Sequence, residues 1–246
     1  MIYKCTVAYD GSKFSGWQKQ PGIKTVQDTI ESALSIIQKQ NVSIHGSGRT
    51  DAGVHAFGQV FHFESHLNMD ADAYQRALNA LLPKSVFVHK VEIVNDLFHA
   101  RFHARSKTYQ YRLNTDSLDI FRIDYEYQLN QALDTEAMRQ CAAIFNGTHD
   151  FTSFNATELN IVSNQIRTIS HFNIEDNEGH LVFEIKGDGF LRYMVRMLIA
   201  ACVEVGLGRL NCDDIRLILD SKNKNAFNKN IDSCGLYLLE VDYEEV

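Results

Sequence analysis

Apolar and polar residues alternate in several short runs of the chain, and elsewhere apolar residues recur every three or four positions. Strict alternation is typical of β-strands with one buried face, whereas the longer period is typical of amphipathic helices. Val26, Ile30 and Leu34 share a helical face that Thr25 can cap, and Pro83 ends a second helix. In the first half, these patterns predict strands near 2–9, 42–47, 58–64 and 85–95, and helices near 25–39 and 70–81.

The second half of the chain repeats this order of elements. Met138, Cys141 and Phe145 lie on one helical face, and Gly147 follows as a stop signal. The patterns there predict strands near 106–114, 166–175, 180–187 and 235–243, and helices near 134–146, 190–205 and 212–220. Both halves therefore have the order β-α-β-β-α-β, with one extra helix in the second, although they share no obvious sequence identity.

Two β-α-β-β-α-β units predict an α+β protein with two ferredoxin-like halves. In such units, helices cover one face of an antiparallel sheet and leave the other face free. We place the boundary after residue 104, which gives an N-terminal domain of residues 1–104 and a C-terminal domain of residues 105–246. Two open sheet faces side by side would form a long binding surface or a cleft.

Composition limits where such a protein works. The 246 residues are 45% hydrophobic and 22% charged, which is ordinary for a globular protein. The N-terminus lacks a signal-peptide pattern, and the longest apolar run, near 197–203, is far shorter than the ~20 residues of a membrane span. Five cysteines without a C-x-x-C motif indicate reduced, packed thiols. We therefore expect a cytoplasmic protein without a membrane segment.

The net charge of −7 argues against nucleic acid as a partner, but the charge is unevenly distributed. The segment 98-FHARFHARSKTYQYR-112 carries four basic residues and no acid. Basic groups bind phosphates and aromatic rings stack on unpaired bases, so the segment could bind RNA. Its aromatic residues could equally face the core, since Tyr109 and Tyr111 share one face of a strand. The basic candidates for phosphate contacts are Arg101, Arg105 and Lys107.

The glycine-rich stretch 46-GSGRTDAG-53 contains a single acid, Asp51. Its glycine spacing differs from the dinucleotide fingerprint G-x-G-x-x-G, and the Lys-Ser/Thr pair of a phosphate-binding Walker loop is missing. A phosphate cradle is therefore not supported. Asp51 either forms a tight turn or acts as a catalytic carboxylate, beside glycines that let a substrate approach the backbone.

Metal and hydrolase chemistry receive little support from the sequence. The pairs His62/His66 and His99/His103 have the helical spacing of metal ligands, but His62 lies in a predicted strand and no H-E-x-x-H motif is present. No G-x-S-x-G nucleophile elbow appears either. We therefore expect neither a metal site nor a hydrolase triad.

The predicted helix 190–205 carries Arg196 beside its apolar stripe, between Met194 and Met197. A buried guanidinium needs an anion to offset its desolvation, and an ionised aspartate is the obvious partner. Alternatively, the side chain extends along the apolar face and keeps its charged head in water.

Six segments of the chain, taken in order, resemble the TruA-type tRNA pseudouridine synthases. The most specific is GRTDAGVHA (48–56), and the others are YDGSKFSGWQKQ (9–20), GQVFHF (58–63), the basic segment 98–112, GDGFLRYMVRMLIAACVEVGLGR (187–209) and GLYL (235–238). The resemblance implies an isomerase that converts uridine in RNA into pseudouridine without a cofactor or metal. It also implies a homodimer in which two ferredoxin-like halves join through one extended sheet, with a central RNA-binding cleft.

The resemblance also implies roles for individual residues. Asp51 matches the family's essential aspartate, and Arg196 matches the arginine that pairs with it. Tyr109 matches the tyrosine that packs against the target base, and Arg49 matches the arginine that helps to displace and replace the flipped nucleotide. The usual substrate of the family is tRNA, at uridines on the 3′ side of the anticodon arm.

Two departures from the family pattern bear on the RNA target. Asp232-Ser233-Cys234 stand where the family usually has Ala-Pro shortly before GLYL, and Lys107-Thr108 form a less basic stretch than in some relatives. The alternatives are therefore a paralogue that modifies another RNA, such as ribosomal RNA, and a non-catalytic RNA-binding protein on the same fold. An acid-dependent hydrolase is a third, although no second carboxylate accompanies Asp51 in its motif.

Overall fold

The computed structural model describes residues 1–244. The chain folds into two compact units. The first unit comprises Met1–Arg105 and the C-terminal segment from Tyr237 onward, and the second comprises Ser106–Leu236. The division predicted from sequence, after residue 104, placed the last strand in the C-terminal domain, whereas that strand groups with the first compact unit.

Ten β-strands and five α-helices lie within residues 1–244, so the protein is a mixed α+β protein, as the sequence predicts. The strands are β1 (Ile2–Tyr9), β2 (Ile44–Gly46), β3 (His55–Glu64), β4 (Val86–Val94), β5 (Ala104–Asn114), β6 (Tyr127–Gln128), β7 (Gly147–Asp150), β8 (Ile166–Asn177), β9 (His180–Gly187) and β10 (Leu236–Tyr243). The helices are α1 (Val26–Gln38), α2 (Ala71–Leu81), α3 (Thr135–Ile144), α4 (Met194–Gly206) and α5 (Cys212–Ser221). None of these helices has the length and apolar character that a membrane span requires.

The first unit is built on the antiparallel strands β4-β1-β3, with β2 paired to the far end of β3. Along β1 every second residue is buried, which is the alternation that predicts a strand with one core face. The Thr25 side chain accepts a hydrogen bond from the Asp28 backbone N–H at 3.3 Å and so begins α1 at Val26. Ile30 and Leu34 of α1 are fully buried, so the helix covers the core with its predicted face.

The second unit is built on the antiparallel strands β5-β9-β8-β7. Helix α3 packs against α4, α5 and β8. Phe145, Phe151 and Phe154 are fully buried in its core, and the rings of Phe145 and Phe154 meet edge to face with centroids 5.1 Å apart. The strand β5 and the helix α4 of this unit carry the candidate site residues Tyr109 and Arg196.

The expectation of an antiparallel sheet is wrong at two strand pairs. β10 runs parallel to β3, with Tyr237 opposite His55 and Leu238 opposite Ala56. β6 runs parallel to β5 near Leu113. Each pair overlaps by only two residues, which is too short to leave a periodic pattern in the sequence.

Several element boundaries also differ from the predictions. β3 begins at His55 instead of near residue 58, and α4 begins at Met194 instead of near residue 190. The helix begins late because Tyr193 has a left-handed backbone, with φ of 62°, which does not continue a helix. The short strands β6 and β7 were not predicted, since two to four residues carry too little periodicity.

Candidate active site

Asp51 lies on the loop between β2 and β3, within the first unit. Arg49 on the same loop is exposed, whereas Asp51 is half-buried. The Val54 N–H donates to the Asp51 carbonyl at 3.2 Å, and Gly53 completes this turn with a left-handed φ of 79°. Asp51 therefore begins a tight turn that ends at Val54, and Arg49 lies two residues before it on the same loop.

A second segment of the first unit, which contains Tyr9 and Trp17, is hydrogen-bonded to the residue before this turn. The buried Tyr9 and Thr50 hydroxyls are hydrogen-bonded at 2.8 Å, and the Trp17 N–H donates to the Thr50 carbonyl at 3.0 Å. Burial raises the pKa of Tyr9 to about 12, so this hydroxyl stays neutral. The residue immediately before Asp51 is therefore fixed through both its side chain and its backbone.

Gly16 lies directly against the backbone of Asp51. Its φ is 88°, and a Cβ atom built there would lie 2.9 Å from the Thr50 carbonyl oxygen and 3.2 Å from the Asp51 carbonyl carbon. Only glycine provides both the left-handed conformation and this close approach. Gly16 thus sets the position of the Asp51 backbone.

The start of the loop is held by Gln59 of β3. The Ser47 hydroxyl donates to the Gln59 side-chain oxygen at 2.6 Å, and the Gln59 amide donates to the Gly48 carbonyl at 3.2 Å. Gly46 faces Trp17, whose ring would be 2.8 Å from a Cβ atom at that position. At Gly46, the missing side chain makes room for an indole ring.

The predicted phosphate contacts Arg101 and Arg105 also belong to the first unit and are exposed. Arg105 forms an ion pair of 2.5 Å with Glu244, both side chains being largely exposed. The aromatic residues of this segment differ in burial, since Phe98 is 8% exposed and Phe102 is 74% exposed. The packing alternative therefore holds for Phe98, and the accessible ring is Phe102.

Three histidines of the first unit, His45, His62 and His99, form a cluster of rings. The centroid of His62 lies 5.1 Å from that of His45 and 4.7 Å from that of His99. His62 accepts a hydrogen bond at Nδ1 from the Ala100 N–H at 3.1 Å, and burial is the main cause that lowers its pKa to about 4. In residues 1–244 no three histidine, cysteine or acidic side chains are arranged to hold a metal ion.

In the second unit, the tyrosines Tyr109 and Tyr111 lie on β5 in different surroundings. Tyr111 is fully buried and donates its hydroxyl to the Asp232 carbonyl at 2.8 Å. Tyr109 is 8% exposed, and Phe190 meets it edge-on with ring centroids 5.3 Å apart. Tyr111 is thus a core residue, and Tyr109 has a ring whose orientation is fixed by Phe190. Lys107, on the same strand, is half-buried.

Arg196 lies in the first turn of α4, within the second unit. Its Nε donates to the Ile231 carbonyl at 2.7 Å, and its guanidinium carbon lies 5.2 Å from the centroid of the Tyr193 ring. The side chain is half-buried, so it neither snorkels freely nor lies deep in the core. The aspartate partner of Arg196 stays a prediction.

The departure from the family pattern at residues 232–234 forms a defined turn. The Cys234 N–H donates to the Asp232 side chain at 3.0 Å, and the Leu236 N–H donates to the Ser233 carbonyl at 2.9 Å. Gly235 follows because a Cβ atom there would lie 2.4 Å from the Arg112 carbonyl oxygen. The Asp-Ser-Cys sequence therefore connects to β10 without a proline.

The residues that sequence reasoning missed are those that position Asp51. Tyr9, Gly16 and Trp17 act from one segment, and Gln59 acts from β3. Their signal was the YDGSKFSGW run itself, which combines glycines with large aromatic residues between a strand and a helix. Nothing in the spacing shows that this run meets the loop around residue 51.

This chain is similar to known proteins along nearly its whole length. The sequence model of the family described as tRNA pseudouridine synthase matches residues 6–103 and 141–244. The tRNA pseudouridine synthase A of Bacillus pumilus (strain SAFR-032) is 44% identical over 249 residues, covering 99% of this chain and 100% of the relative. The protein of the same name from Bacillus subtilis (strain 168) is 40% identical, with coverages of 99% and 100%. That of Oceanobacillus iheyensis is 41% identical, with coverages of 98% and 96%.

Proposed function

The chain belongs to the tRNA pseudouridine synthase family, and from this premise we propose that it converts uridines on the 3′ side of the tRNA anticodon arm into pseudouridine. The observation that carries the proposal is the family match over both halves of the chain, together with a GRTDAG loop whose aspartate is fixed and half-buried. Relatives that are 40% and 44% identical over their full length carry the name tRNA pseudouridine synthase A.

The reaction explains why a single carboxylate is enough. The bond from uracil N1 to C1′ breaks, the base turns while it is held, and C5 joins C1′; C5 then gives up its proton and N1 gains one, so the formula is unchanged. Asp51 serves this sequence as a nucleophile at C1′, as a nucleophile at C6, or by stabilising charge on a glycal route. All three roles need an ionised carboxylate in a defined position, which is what the fixed turn supplies.

Arg196 is the proposed partner of Asp51. A guanidinium beside a carboxylate stabilises the ionised form, and it can hold both oxygens through its planar fork. The hydrogen bond from Arg196 Nε to the Ile231 carbonyl, at 2.7 Å, fixes the orientation of the planar guanidinium.

The remaining residues act on the RNA. The target uridine must leave its stack, which costs a few kcal/mol. Tyr109 offers a ring against which the extruded base packs, and the exposed Arg49 side chain occupies the position that the base leaves. Arg101, Arg105 and Lys107 contact phosphates.

The same proposal includes the larger architecture. Two ferredoxin-like halves form one extended sheet with a central RNA-binding cleft, and the enzyme acts as a cytoplasmic homodimer without a cofactor. The strand order β4-β1-β3, with β2 paired to β3, supports the first half of this architecture. Light scattering at several protein concentrations tests the dimer.

The test of the catalytic assignment is the Asp51→Asn variant. Tritium release from a tRNA transcript that contains 5-tritiated uridine should fall to background, because the amide cannot act as an ionised carboxylate. RNA binding and the unfolding midpoint should stay as in the wild type. The matched control is Asp96→Asn, an exposed acid of the same unit, which should turn over normally. Turnover by Asp51→Asn would contradict the assignment.

The Arg196→Met variant tests whether Arg196 acts as the partner of Asp51. The variant should lose tritium release by a larger factor than its unfolding equilibrium shifts in urea. If activity and stability fall together, the arginine serves only to hold Ile231. Arg216→Met, on the exposed face of α5, is the control for removal of a guanidinium.

A further inference from the structure

A hollow of about 550 Å³ opens in the second unit. Segments 155–159 and 224–230 form its walls, and Tyr193 and Met197 of the α4 region line it between them. Asn230 of the lining is followed directly by Ile231, whose carbonyl accepts the Arg196 side chain at 2.7 Å. The hollow therefore borders the candidate catalytic arginine, and its volume falls within the roughly 300–1,000 Å³ of ligand sites.

The lining combines apolar surface with amide groups. Leu159, Met197 and Phe227 provide the apolar part, and Asn228 and Asn230 provide side-chain amides at the rim. Leu159 is 50% exposed, although it is a large aliphatic residue. Apolar surface receives the face of an unpaired base, and an amide can donate to and accept from its edge.

Two lysines and one acid line the hollow, although the chain as a whole carries a net charge of −7. Among residues 1–244, the charged residues that line the hollow are Lys224, Lys229 and Glu158. The Lys229 ammonium binds Glu204, but this carboxylate also holds Arg209 at 3.3 Å. Two cations thus share one acid, so Glu204 does not fully neutralise Lys229, and this ammonium can also contact a phosphate.

The walls are fixed. The Lys224 ammonium donates to the Asn155 side-chain oxygen at 2.7 Å, the Gln165 side-chain oxygen at 3.1 Å and the Asn155 carbonyl at 3.2 Å. These neutral acceptors tie the two walls together across the hollow. Tyr193 has a left-handed φ of 62°, and Arg192 donates to its hydroxyl at 3.1 Å. A non-glycine residue held in that conformation is typical of functional positions.

We propose that this hollow is the binding subsite for a nucleotide adjacent to the target uridine in the RNA substrate. The phosphate lies near Lys229, and the base lies against Leu159 with its edge toward the asparagine amides. The inference rests on the proposed function, because the target uridine places its neighbouring nucleotide beside Arg196. The subsite would help to hold the strand while the target base is extruded.

Two variants with matched controls test the subsite on a tRNA transcript. Lys229→Gln removes a phosphate contact, and Lys222→Gln is its control because Lys222 is exposed, lies two residues before the segment 224–230 and does not line the hollow. Lys229→Gln should raise KM about tenfold and lower the slope of log affinity against log salt by about 0.7, the value for one phosphate contact on a single strand. The control should leave both unchanged.

Leu159→Ala removes apolar contact with the base, and Leu217→Ala, on α5 and 70% exposed, is its control. Leu159→Ala should raise KM about fivefold, as expected for loss of part of a base contact. The salt slope should stay that of the wild type, because no charge is removed. A salt slope that changes with Leu159→Ala would contradict the division into phosphate and base contacts.

Wild-type turnover separates the subsite from the proposed function. If the wild type forms no pseudouridine in the transcript, the proposed function is refuted, and the subsite is refuted with it because it is defined by the target uridine. If the wild type is active and both variants keep its KM and salt slope, the subsite is refuted. A fall in kcat at unchanged KM would also refute it, since that pattern belongs to a residue that supports catalysis without binding RNA.

Discussion

Gly16 and Gly22 provide a matched pair for testing whether the position of the Asp51 backbone controls catalysis. Both glycines have left-handed φ angles, 88° and 70°. A Cβ atom at Gly16 would lie 2.9 Å from the Thr50 carbonyl oxygen and 3.2 Å from the Asp51 carbonyl carbon, whereas no atom lies within 4 Å of one at Gly22. Alanine therefore adds backbone strain at both positions, but only the alanine at position 16 clashes with the backbone of Thr50 and Asp51.

The two contributions can be estimated separately. A left-handed alanine costs about 1–2 kcal/mol, so both variants should unfold at lower urea concentration by a similar amount. At Gly16 the contacts are with backbone, which cannot rotate away as a flexible side chain would. The turn must shift by several tenths of an ångström. Since a displacement of about 1 Å can reduce the rate about a hundredfold, we expect kcat to fall on the order of tenfold in Gly16→Ala.

The assay is tritium release under saturating tRNA, with urea unfolding of the same samples. Gly22→Ala should keep the wild-type kcat but lose about as much stability in urea as Gly16→Ala does. The reasoning would be refuted if Gly16→Ala had a kcat within twofold of Gly22→Ala, because the close packing of Gly16 on Asp51 would then have no catalytic effect.

Two further variants test the assignments of buried residues. Tyr111→Phe should destabilise the protein by about 1 kcal/mol in urea, because the Asp232 carbonyl loses its donor, and kcat should stay near the wild-type value; a large loss of kcat would make Tyr111 a catalytic residue. His62 has a folded pKa of about 4 against an ordinary value of 6.5, so below pH 6.5 the unfolded chain binds a proton that the folded chain does not. Stability should therefore fall by about 3 kcal/mol between pH 6.5 and 4, and His62→Gln should remove most of this dependence in urea titrations at each pH; an unchanged pH profile in His62→Gln would show that the imidazole is not its source.

The helices and long strands were predictable because their periodicity is local. The alternation in β1 and the spacing of Ile30 and Leu34 in α1 follow directly from which face meets the core. The sequence pattern places the start of β3 three residues late, because His55 and Ala56 extend the strand by pairing with β10 and, at Ala56, with Tyr9 of β1, which are both distant in sequence. The start of α4 was misplaced because Tyr193 takes a backbone conformation that its residue type does not favour.

In the candidate site, too, local features could be predicted from the sequence, whereas contacts between distant residues could not. The GRTDAG motif predicts a tight loop at Asp51, and the structure has a turn from Asp51 to Val54. Sequence spacing could not separate Tyr109 from Tyr111, which share a face at period two. The burial of Tyr111 and its bond to Asp232 separate them, because that bond joins residues 121 positions apart. The packing of Gly16 on Asp51 is equally non-local and could be seen only in three dimensions.

The most direct test of the central claim is a pseudouridine map of total RNA from a strain that lacks this protein, complemented with the wild type or with Asp51→Asn. Pseudouridine on the 3′ side of tRNA anticodon arms should disappear from the deletion strain. It should return with the wild type and stay absent with Asp51→Asn. Persistence of these marks without the protein, their return with Asp51→Asn, or loss confined to ribosomal RNA would contradict the account.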